Sequence, residues 1–452
     1  MNNPTTTHHP WRDWPGLPIA ALLALPSLGQ AAGFALIEQS VSSMGTAYAG
    51  SAAAAEDSST LYFNPAGMTR LPGTRASVGL HAINTRAEFD GGATFGLTGA
   101  DIPGGDGGDA GALNTIPHLY VTHQLSGQSW LGLAVNVPFG LATEYDDDWF
   151  GRYHAIESEV STVNINPSFA VRLNPKLSLG LGVSAQYIDA ELSNAIDYGS
   201  LNLIPASQGG LGGALGPAVG PGGADGKANL EGDAWSWGWN VGVLFELSDR
   251  TRVGAHYRSE VDQDLDGSAK FATPGGPLTT DVEASVDLPA TFSLSLVHEL
   301  NAEWALMADY TWTGWSSLPE LRFDFANGLP DGVTTLEWDD TNRYSLGATY
   351  TPAGSVWVFR AGVALDETPI PDAAHRTPRI PGDDRLWVAL GAGYSPTKHW
   401  RFDFGYAHLF VDNPEIDKPA TPGSEDFLRG ALVGSYDASV DILSAQMEYR
   451  FD

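Results

Sequence analysis

The sequence predicts an all-β fold: a transmembrane antiparallel β-barrel of 14 strands whose N-terminal segment lies inside the lumen as a hatch. Three observations favour this fold. Charged residues make up only 17% of the 452 residues, while glycine, at 53, and the aromatic residues are abundant. Apolar and small or polar residues alternate along long segments, and short and long connections alternate along the chain. Soluble domains carry nearer a quarter of charged residues, so the composition suits strands that face lipid.

The strands are predicted from a period of two residues. In 176–188 the apolar positions are Leu177, Leu179, Leu181, Val183, Ala185 and Tyr187, and serine, glycine and glutamine fill the positions between them. The same alternation returns in 235–247, 400–406 and 443–451. Successive side chains of a strand point to opposite faces. An apolar face with aromatic ends and a polar opposite face is typical of a membrane barrel, with lipid outside and a polar lumen inside.

The number of strands follows from the connections. Short polar turns are predicted at 126–128, 174–176, 248–250, 301–303, 353–355 and 397–399. Longer connections are predicted at 91–113, 138–155, 199–230, 369–383 and 414–434. Membrane barrels have short periplasmic turns and long outer loops. Six inner turns with both chain ends on the same side give 14 strands.

The N-terminus predicts export. Residues 17–28 form an apolar run of about a dozen residues, too short to cross a bilayer as a helix, and the small residues Gly29, Ala31 and Ala32 follow it. We expect a signal peptide at 1–31 with cleavage after Ala31. The chain would then divide into a hatch at 32–71 and a barrel at 72–452. It contains no cysteine, which excludes disulfides and thiolate metal sites.

The segment 33–71 does not have the alternation of a strand. It is rich in alanine, glycine and serine, which favours a short helix at 52–55, and Asn64-Pro65 favours a turn. About 40 irregular residues before the first strand need a location, and the lumen of a wide barrel provides one.

The hatch segment and several strand ends resemble the FadL/TodX-type outer-membrane transporters of long-chain fatty acids and aromatic hydrocarbons. The matching stretches are Gly33-Phe34, 39–50, Glu56-Asp57, 64–68, 136–140, 151–153 and 164–168. The resemblance implies a 14-stranded barrel with a hatch and passive transport. Outer loops capture the ligand, a hydrophobic pocket above the hatch holds it, and it leaves sideways through a gap in the wall. It also implies that Phe34 lines the pocket and that Asn64, Pro65 and Ala66 lie near the gate.

Pro138 is a further gate candidate, because proline lacks the N–H that a strand ladder needs. Two interpretations stay open: a break in the wall that forms a lateral opening, or a strand that ends at its loop. Strand parity also places six arginines in the lumen: Arg172, Arg252, Arg258, Arg343, Arg360 and Arg401. They either pair with lumen acids such as Asp403 or bind a substrate carboxylate. His256 and Arg258 are the ligand-binding candidates.

The remaining features of the sequence narrow the range of possible functions. A formal charge of −31 excludes nucleic acid as a partner. The aspartates at 146–148 form either a solvated loop or a site for divalent cations that bridge to lipopolysaccharide. No enzyme motif, cofactor or metal site is predicted. The predicted protein is a monomer in the bacterial outer membrane that contacts lipid, lipopolysaccharide and a hydrophobic small molecule. The alternatives are a general porin, a structural or adhesive surface barrel, or a barrel lipase.

Overall fold

A computed structural model describes residues 33–451, and the predicted signal peptide at 1–31 lies outside the described residues. The described chain forms one closed antiparallel barrel with a hatch inside it. Twenty strand segments belong to a single sheet. Six strands are interrupted once, so the segments make up 14 strands, as the sequence predicts. The last strand pairs with the first from Arg75 opposite Arg450 to Thr94 opposite Ala431, which closes the barrel.

Eight strands are continuous and six are interrupted. The continuous strands are β1 (Thr74–Thr94), β2 (Leu113–Gln124), β4 (Glu157–Asn174), β5 (Leu177–Asp197), β6 (Asp225–Ser248), β11 (Trp357–Asp366), β12 (Arg385–Tyr394) and β14 (Ala431–Arg450). The interrupted strands are β3 (Ser129–Asn136 and Gly140–Glu144), β7 (Thr251–Arg258 and Val261–Thr273), β8 (Gly276–Leu288 and Thr291–Glu299), β9 (Trp304–Thr313 and Glu320–Phe325), β10 (Gly332–Thr335 and Thr341–Tyr350) and β13 (Trp400–Val411 and Glu415–Lys418).

All six predicted short turns join consecutive strands at one end of the barrel. The predicted connection 199–230 is shorter than expected, because β6 already begins at Asp225; it contains α4 (Tyr198–Leu203) and a 3₁₀ helix (Ala206–Gln208). Two further outer connections, 274–275 and 326–331, are short, so β7 to β10 extend outwards as two hairpins.

The alternation has the predicted orientation. Residues such as Leu181 and Val183 are exposed on the outside, and the intervening residues such as Ser184 are buried towards the lumen. Next to the inner turns, tryptophan–tyrosine pairs cross neighbouring strands with ring centroids 4.5–4.7 Å apart: Trp304–Tyr350, Trp357–Tyr394 and Trp400–Tyr449. Such an aromatic girdle marks the membrane–water interface.

The hatch folds into short helices: α1 (Val41–Met44), α2 (Ser51–Ala54), α3 (Thr60–Phe63) and a 3₁₀ helix (Pro65–Arg70). The helix predicted at 52–55 is thus displaced by one residue. Wall glycines let the hatch backbone approach closely. A Cβ on Gly254 would lie 1.9 Å from the Ala52 carbonyl oxygen, and one on Gly362 would lie 2.1 Å from the Thr46 carbonyl. No helix in the described part of the chain is long and apolar enough to cross a membrane.

Candidate functional site

Phe34 lies at the centre of an aromatic cluster that we define as Phe34, Phe139, Trp315 and Trp338. The Phe34 ring is 5.0 Å from the Trp315 ring, 5.9 Å from Phe139 and 6.1 Å from Trp338, between centroids. All four side chains are buried. Aliphatic residues from β5, β7, β8 and the outer loops complete the surroundings, including Ile188, Val261, Leu288 and Ile380. Phe34 of the hatch therefore contacts a large apolar region of the outer lumen, where the sequence predicts the pocket; that Phe34 binds ligand stays a prediction.

Pro138 lies in an interruption within β3, which resumes at Gly140. The hatch closes this interruption. Leu36 N donates to Pro138 O and Gly140 N donates to Phe34 O, both at 2.8 Å. The side chain of Gln39 donates to Val137 O at 2.6 Å. A break in a lipid-facing wall is tolerated only where its backbone groups find partners, and here the partners belong to the hatch. The alternative in which β3 simply ends at its loop is therefore not what the structure shows.

Asn64, Pro65 and Ala66 contact a different part of the wall. The Asn64 side chain donates to Val243 O of β6 at 2.9 Å and to Ala52 O at 2.7 Å, and it accepts from Ala66 N at 3.0 Å. These bonds tie the hatch to itself and to β6. None of these three bonds reaches the interruption in β3. A gating role for this motif stays a prediction, and its contacts are those of an anchor.

His256 and Arg258 line a cavity of about 100 Å³ between the hatch and β7 to β10, which we call the polar cavity. Its lining includes hatch residues 35–37, Asp309, Arg343 and several threonine and serine hydroxyls. Trp315 belongs to both the polar cavity and the aromatic cluster, so the two are continuous. A site of this size accommodates several water molecules or part of a small ligand.

The cations of the polar cavity differ in how fully they are bonded. Arg258 donates to Tyr62 O at 3.2 Å and stacks on the Tyr62 ring at 4.6 Å. Arg343 donates through one nitrogen to Ala47 O at 3.2 Å. Among residues 33–451, its Nε and Nη1 have no hydrogen-bond partner, and neither has His256 Nε2. Buried polar atoms in proteins nearly always have partners. The polar cavity therefore presents unused donors to whatever occupies it.

All six predicted lumen arginines contact the hatch. Arg172, Arg252, Arg258 and Arg343 donate to hatch carbonyl oxygens, those of Thr69, Ala53, Tyr62 and Ala47. Arg360 and Arg401 bond to Glu56 at 2.6 and 2.8 Å and to Asp403 at 3.1 and 2.7 Å. Burial opposes ionisation of Glu56, but the two guanidinium groups outweigh it and lower its pKa to about 2.

Two features of the site were not identified from sequence. Trp315 and Trp338 lie in interruptions of β9 and β10, where alternation fails; the flanking Gly314 and Pro319 were the available signal. Glu38 is buried in the hatch beside Gln39, and its Oε2 has no partner among residues 33–451. Burial raises the pKa of Glu38 to about 7, and Arg343 and Arg385 only partly offset this. No group of three or more potential ligands in the described residues could hold a metal ion.

Comparisons with known proteins show which family shares this architecture. Residues 22–451 match the family model described as outer membrane protein transport protein (OMPP1/FadL/TodX). The chain is 29% identical over 451 residues to outer membrane protein P1 of Haemophilus influenzae, covering 95% of this chain and 98% of the relative. It is 30% identical over 408 residues to a long-chain fatty acid transport protein of Escherichia coli, covering 86% and 89%.

Solved structures agree with this result. The crystal structure of a Pseudomonas aeruginosa FadL homologue superposes with a TM-score of 0.83 at 25% identity, covering 93% of this chain and 100% of the other. The Pseudomonas putida toluene transporter TodX, at 20% identity and a TM-score of 0.66 over 94% and 99% of the two chains, shares the fold. The chain therefore belongs to the OMPP1/FadL/TodX family of outer-membrane transport proteins.

Proposed function

We propose that the protein carries single-chain amphiphiles with an anionic head, the class of long-chain fatty acids, passively across the outer membrane. The observation that carries the proposal is the continuity of the aromatic cluster with the polar cavity through Trp315 and hatch residues 35–37. One end of this site is apolar and the other offers donors, so it matches a hydrocarbon tail joined to a polar head.

The polar end favours an acid over a neutral hydrocarbon. A carboxylate accepts charge-assisted bonds from a guanidinium, and among the described residues Nε and Nη1 of Arg343 have no hydrogen-bond partner, with Nε lying 3.9 Å from the Asp366 carboxylate. A neutral aromatic ligand would leave these donors buried and unpaired, which costs roughly 1–3 kcal/mol for each group. His256 and Arg258 line the same cavity and would complete the head-group site.

Release is proposed to occur sideways, through the interruption in β3. Moving hatch residues 34–39 away from this interruption breaks the bonds to Val137, Pro138 and Gly140. Each such bond contributes about 0.5–1.5 kcal/mol net, so the binding free energy of a ligand that displaces Phe34 can compensate for the loss of these bonds. The outer loop 367–384, whose Ile370 and Ile380 pack beside the aromatic cluster, would cover the ligand from above.

The relatives support this class of ligand. One relative is named for long-chain fatty acid transport, whereas several structural neighbours under 25% identity are named for toluene or monoaromatic hydrocarbons. The unpaired donors of the polar cavity favour the first. We further propose a signal peptide at 1–31, a hatch at 32–71 and a barrel at 72–452. The protein would act as a monomer without catalysis, in contact with outer-membrane lipid and lipopolysaccharide.

Two measurements test the proposal. The barrel is purified in a detergent that does not resemble a fatty acid, and bound compounds are extracted and identified by mass spectrometry; a long-chain acid is expected. Oleate binding is then compared between the wild type, Arg343→Gln and Arg343→Lys. Loss of one charge-assisted contact should weaken binding about tenfold or more in Arg343→Gln, with Arg343→Lys intermediate.

Arg86→Gln is the matched control, because Arg86 is exposed and pairs with Glu88 at 2.7 Å outside the lumen. Extraction of alkanes or aromatics, or equal oleate affinity in Arg343→Gln, would contradict the acid as ligand. An empty extract together with ion conductance in planar bilayers would favour the general porin instead.

A further inference from the structure

The ladder between β6 and β7 is interrupted, although both strands continue. The lower register ends at Asn240 opposite Arg258, and the upper register resumes at Asp233 opposite Asp266. Between them, 234–239 and 259–265 form no ladder pairs with each other, although 234–239 pair with β5 and 261–265 pair with β8; we call these two stretches the seam. One backbone bond remains here, from Ser259 N to Trp239 O at 2.9 Å, and serine hydroxyls make the other bonds. Trp239 N donates to Ser259 Oγ at 2.9 Å, and Ser236 Oγ donates to Asp262 O at 2.5 Å.

The outside of the seam carries an unusual concentration of aromatic surface. Trp235, Trp237 and Trp239 are 58%, 73% and 51% exposed. Tyr187 and Tyr257 flank them, with ring centroids 5.2 Å from Trp235 and 5.4 Å from Trp239. These three tryptophans face the membrane side of one strand, next to a stretch of wall whose ladder to β7 is interrupted.

The seam lies at the outer edge of the membrane. Strand rise and tilt place Trp239 roughly 23 Å and Trp235 roughly 33 Å above the inner end of β6, against an apolar band about 25 Å tall. The same arithmetic places Val137, in the interruption of β3, roughly 20 Å above the inner end of its strand. The two interruptions in the wall therefore lie at different depths, the seam nearer the outer surface.

The inside of the seam is the ligand region itself. Val261 and Leu265 are buried in the same apolar cluster as Phe34 and Trp315, and Ala234 packs against it. A Cβ on Gly238 would lie 2.8 Å from Val261 Cγ2, so one small side chain rests on the β6 backbone and closes the wall. Leu265 also lines an apolar cavity of about 30 Å³ just above. Few side-chain atoms separate the outer tryptophans from the pocket.

We propose that the seam is a lateral inlet, through which single-chain amphiphiles dissolved in the outer leaflet reach the pocket. The inference rests on the proposed function and adds a route to it. Opening the seam moves Val261 and breaks two hydroxyl bonds and one backbone bond, whereas opening the β3 interruption breaks the bonds between the hatch and the wall. Ligand would enter at the seam, near the outer surface, and leave at the deeper interruption once it displaces the hatch.

The charge around the seam restricts the form that passes. Glu260 and Asp262 are exposed along β7 at its rim. A carboxylate head passing these acids would be repelled, so the tail inserts first and the head follows as the uncharged acid. Arg343 then favours ionisation inside the pocket. A sulfonate of equal chain length, which stays charged, should bind the pocket in detergent but pass the seam poorly.

The absence of cysteine allows a direct test with the full chain in cells that lack their own fatty-acid transporter. Gly238→Cys with Ser259→Cys locks the seam when oxidised, since a Cβ on Gly238 lies 3.2 Å from Ser259 Oγ, within disulfide reach. Val243→Cys with Ala255→Cys, opposite each other in the ordinary ladder of the same strands, is the matched control. Radiolabelled oleate and the sulfonate of equal chain length are the probes.

Oxidation of the seam lock should slow oleate uptake about tenfold, reduction should restore it, and the control pair should leave it unchanged. Val261→Ala, which removes the closing methyl groups, should accelerate oleate uptake. Unchanged uptake in both the oxidised lock and Val261→Ala would overturn the inlet, as would sulfonate uptake as fast as oleate uptake. A wild-type chain that takes up no oleate would instead refute the proposed function, and the inlet with it.

Discussion

The proposed lateral release depends on the joint between the hatch and the interruption in β3, and the side chain of Gln39 is part of this joint. The Gln39 side chain is fully buried and donates to Val137 O at 2.6 Å and to Leu36 O at 3.0 Å. Gln39→Met keeps the length of the side chain and removes both bonds. It leaves the Val137 carbonyl of the interrupted strand without that donor.

The expected size of the effect follows from the bond to Val137 O, since the bond to Leu36 O lies within the hatch and does not cross the joint. At about 0.5–1.5 kcal/mol, its loss destabilises the closed joint by the same amount. An equilibrium between closed and open hatch then shifts by roughly 2- to 12-fold towards the open form. Since the barrel wall does not change, the free energy of unfolding of the whole protein should fall very little, whereas the population with an open hatch should rise.

Thiol labelling measures the opening. Val137→Cys, in the buried interruption, is labelled by a maleimide in the wild-type and Gln39→Met backgrounds, and Leu133→Cys, exposed on the same strand, is the control. Labelling of Val137→Cys should accelerate in the variant by the factor above, while labelling of Leu133→Cys stays constant. Equal labelling rates at Val137→Cys in a folded barrel would refute the idea that the side chain of Gln39 holds the joint closed.

Three further predictions concern two carboxyl groups of the hatch and one tryptophan of the wall. Because the Glu56 pKa is lowered to about 2, its pairing with Arg360 and Arg401 stabilises the hatch above about pH 4.5 and is lost as pH falls towards 2. Glu56→Gln should remove up to roughly 3 kcal/mol at neutral pH, less the screening allowed by a side chain 26% exposed, measured as hydrogen-exchange protection of the hatch. Glu38 behaves oppositely: its pKa is raised to about 7, so the hatch loses stability as pH rises from about 4.5 to 7. Hydrogen exchange of the hatch in Glu38→Gln should therefore show roughly 3 kcal/mol more stability than in the wild type at pH 8, and the same stability at pH 4. Equal protection of the variant and the wild type at pH 8 would contradict this. Trp315→Ala should lower stability by about 3–5 kcal/mol in denaturant unfolding and weaken oleate binding, whereas Trp357→Ala, on the lipid side, should leave binding intact.

The sequence alone determined the barrel, the number of strands and, along the alternating stretches, the side of the wall on which a side chain lies. Alternation has a period of two residues and is local, so Leu181 and Ser184 could be assigned to opposite faces without knowing their neighbours. The same parity placed six arginines in the lumen, where all six contact the hatch. Turn length is also local, which is why all six inner turns were predicted.

The tertiary structure decided what happens where alternation stops. Trp315 and Trp338 turn inwards only because β9 and β10 are interrupted at that level, and Phe34 meets them from a segment nearly 300 residues away in sequence. Pro138 signalled a disturbance in β3, but the partner that closes it, hatch residues 34–39, is a long-range pairing. Asn64 likewise bonds to β6 rather than to the gap. Contacts between a hatch and a wall depend on closure of the whole barrel, and no local period encodes them.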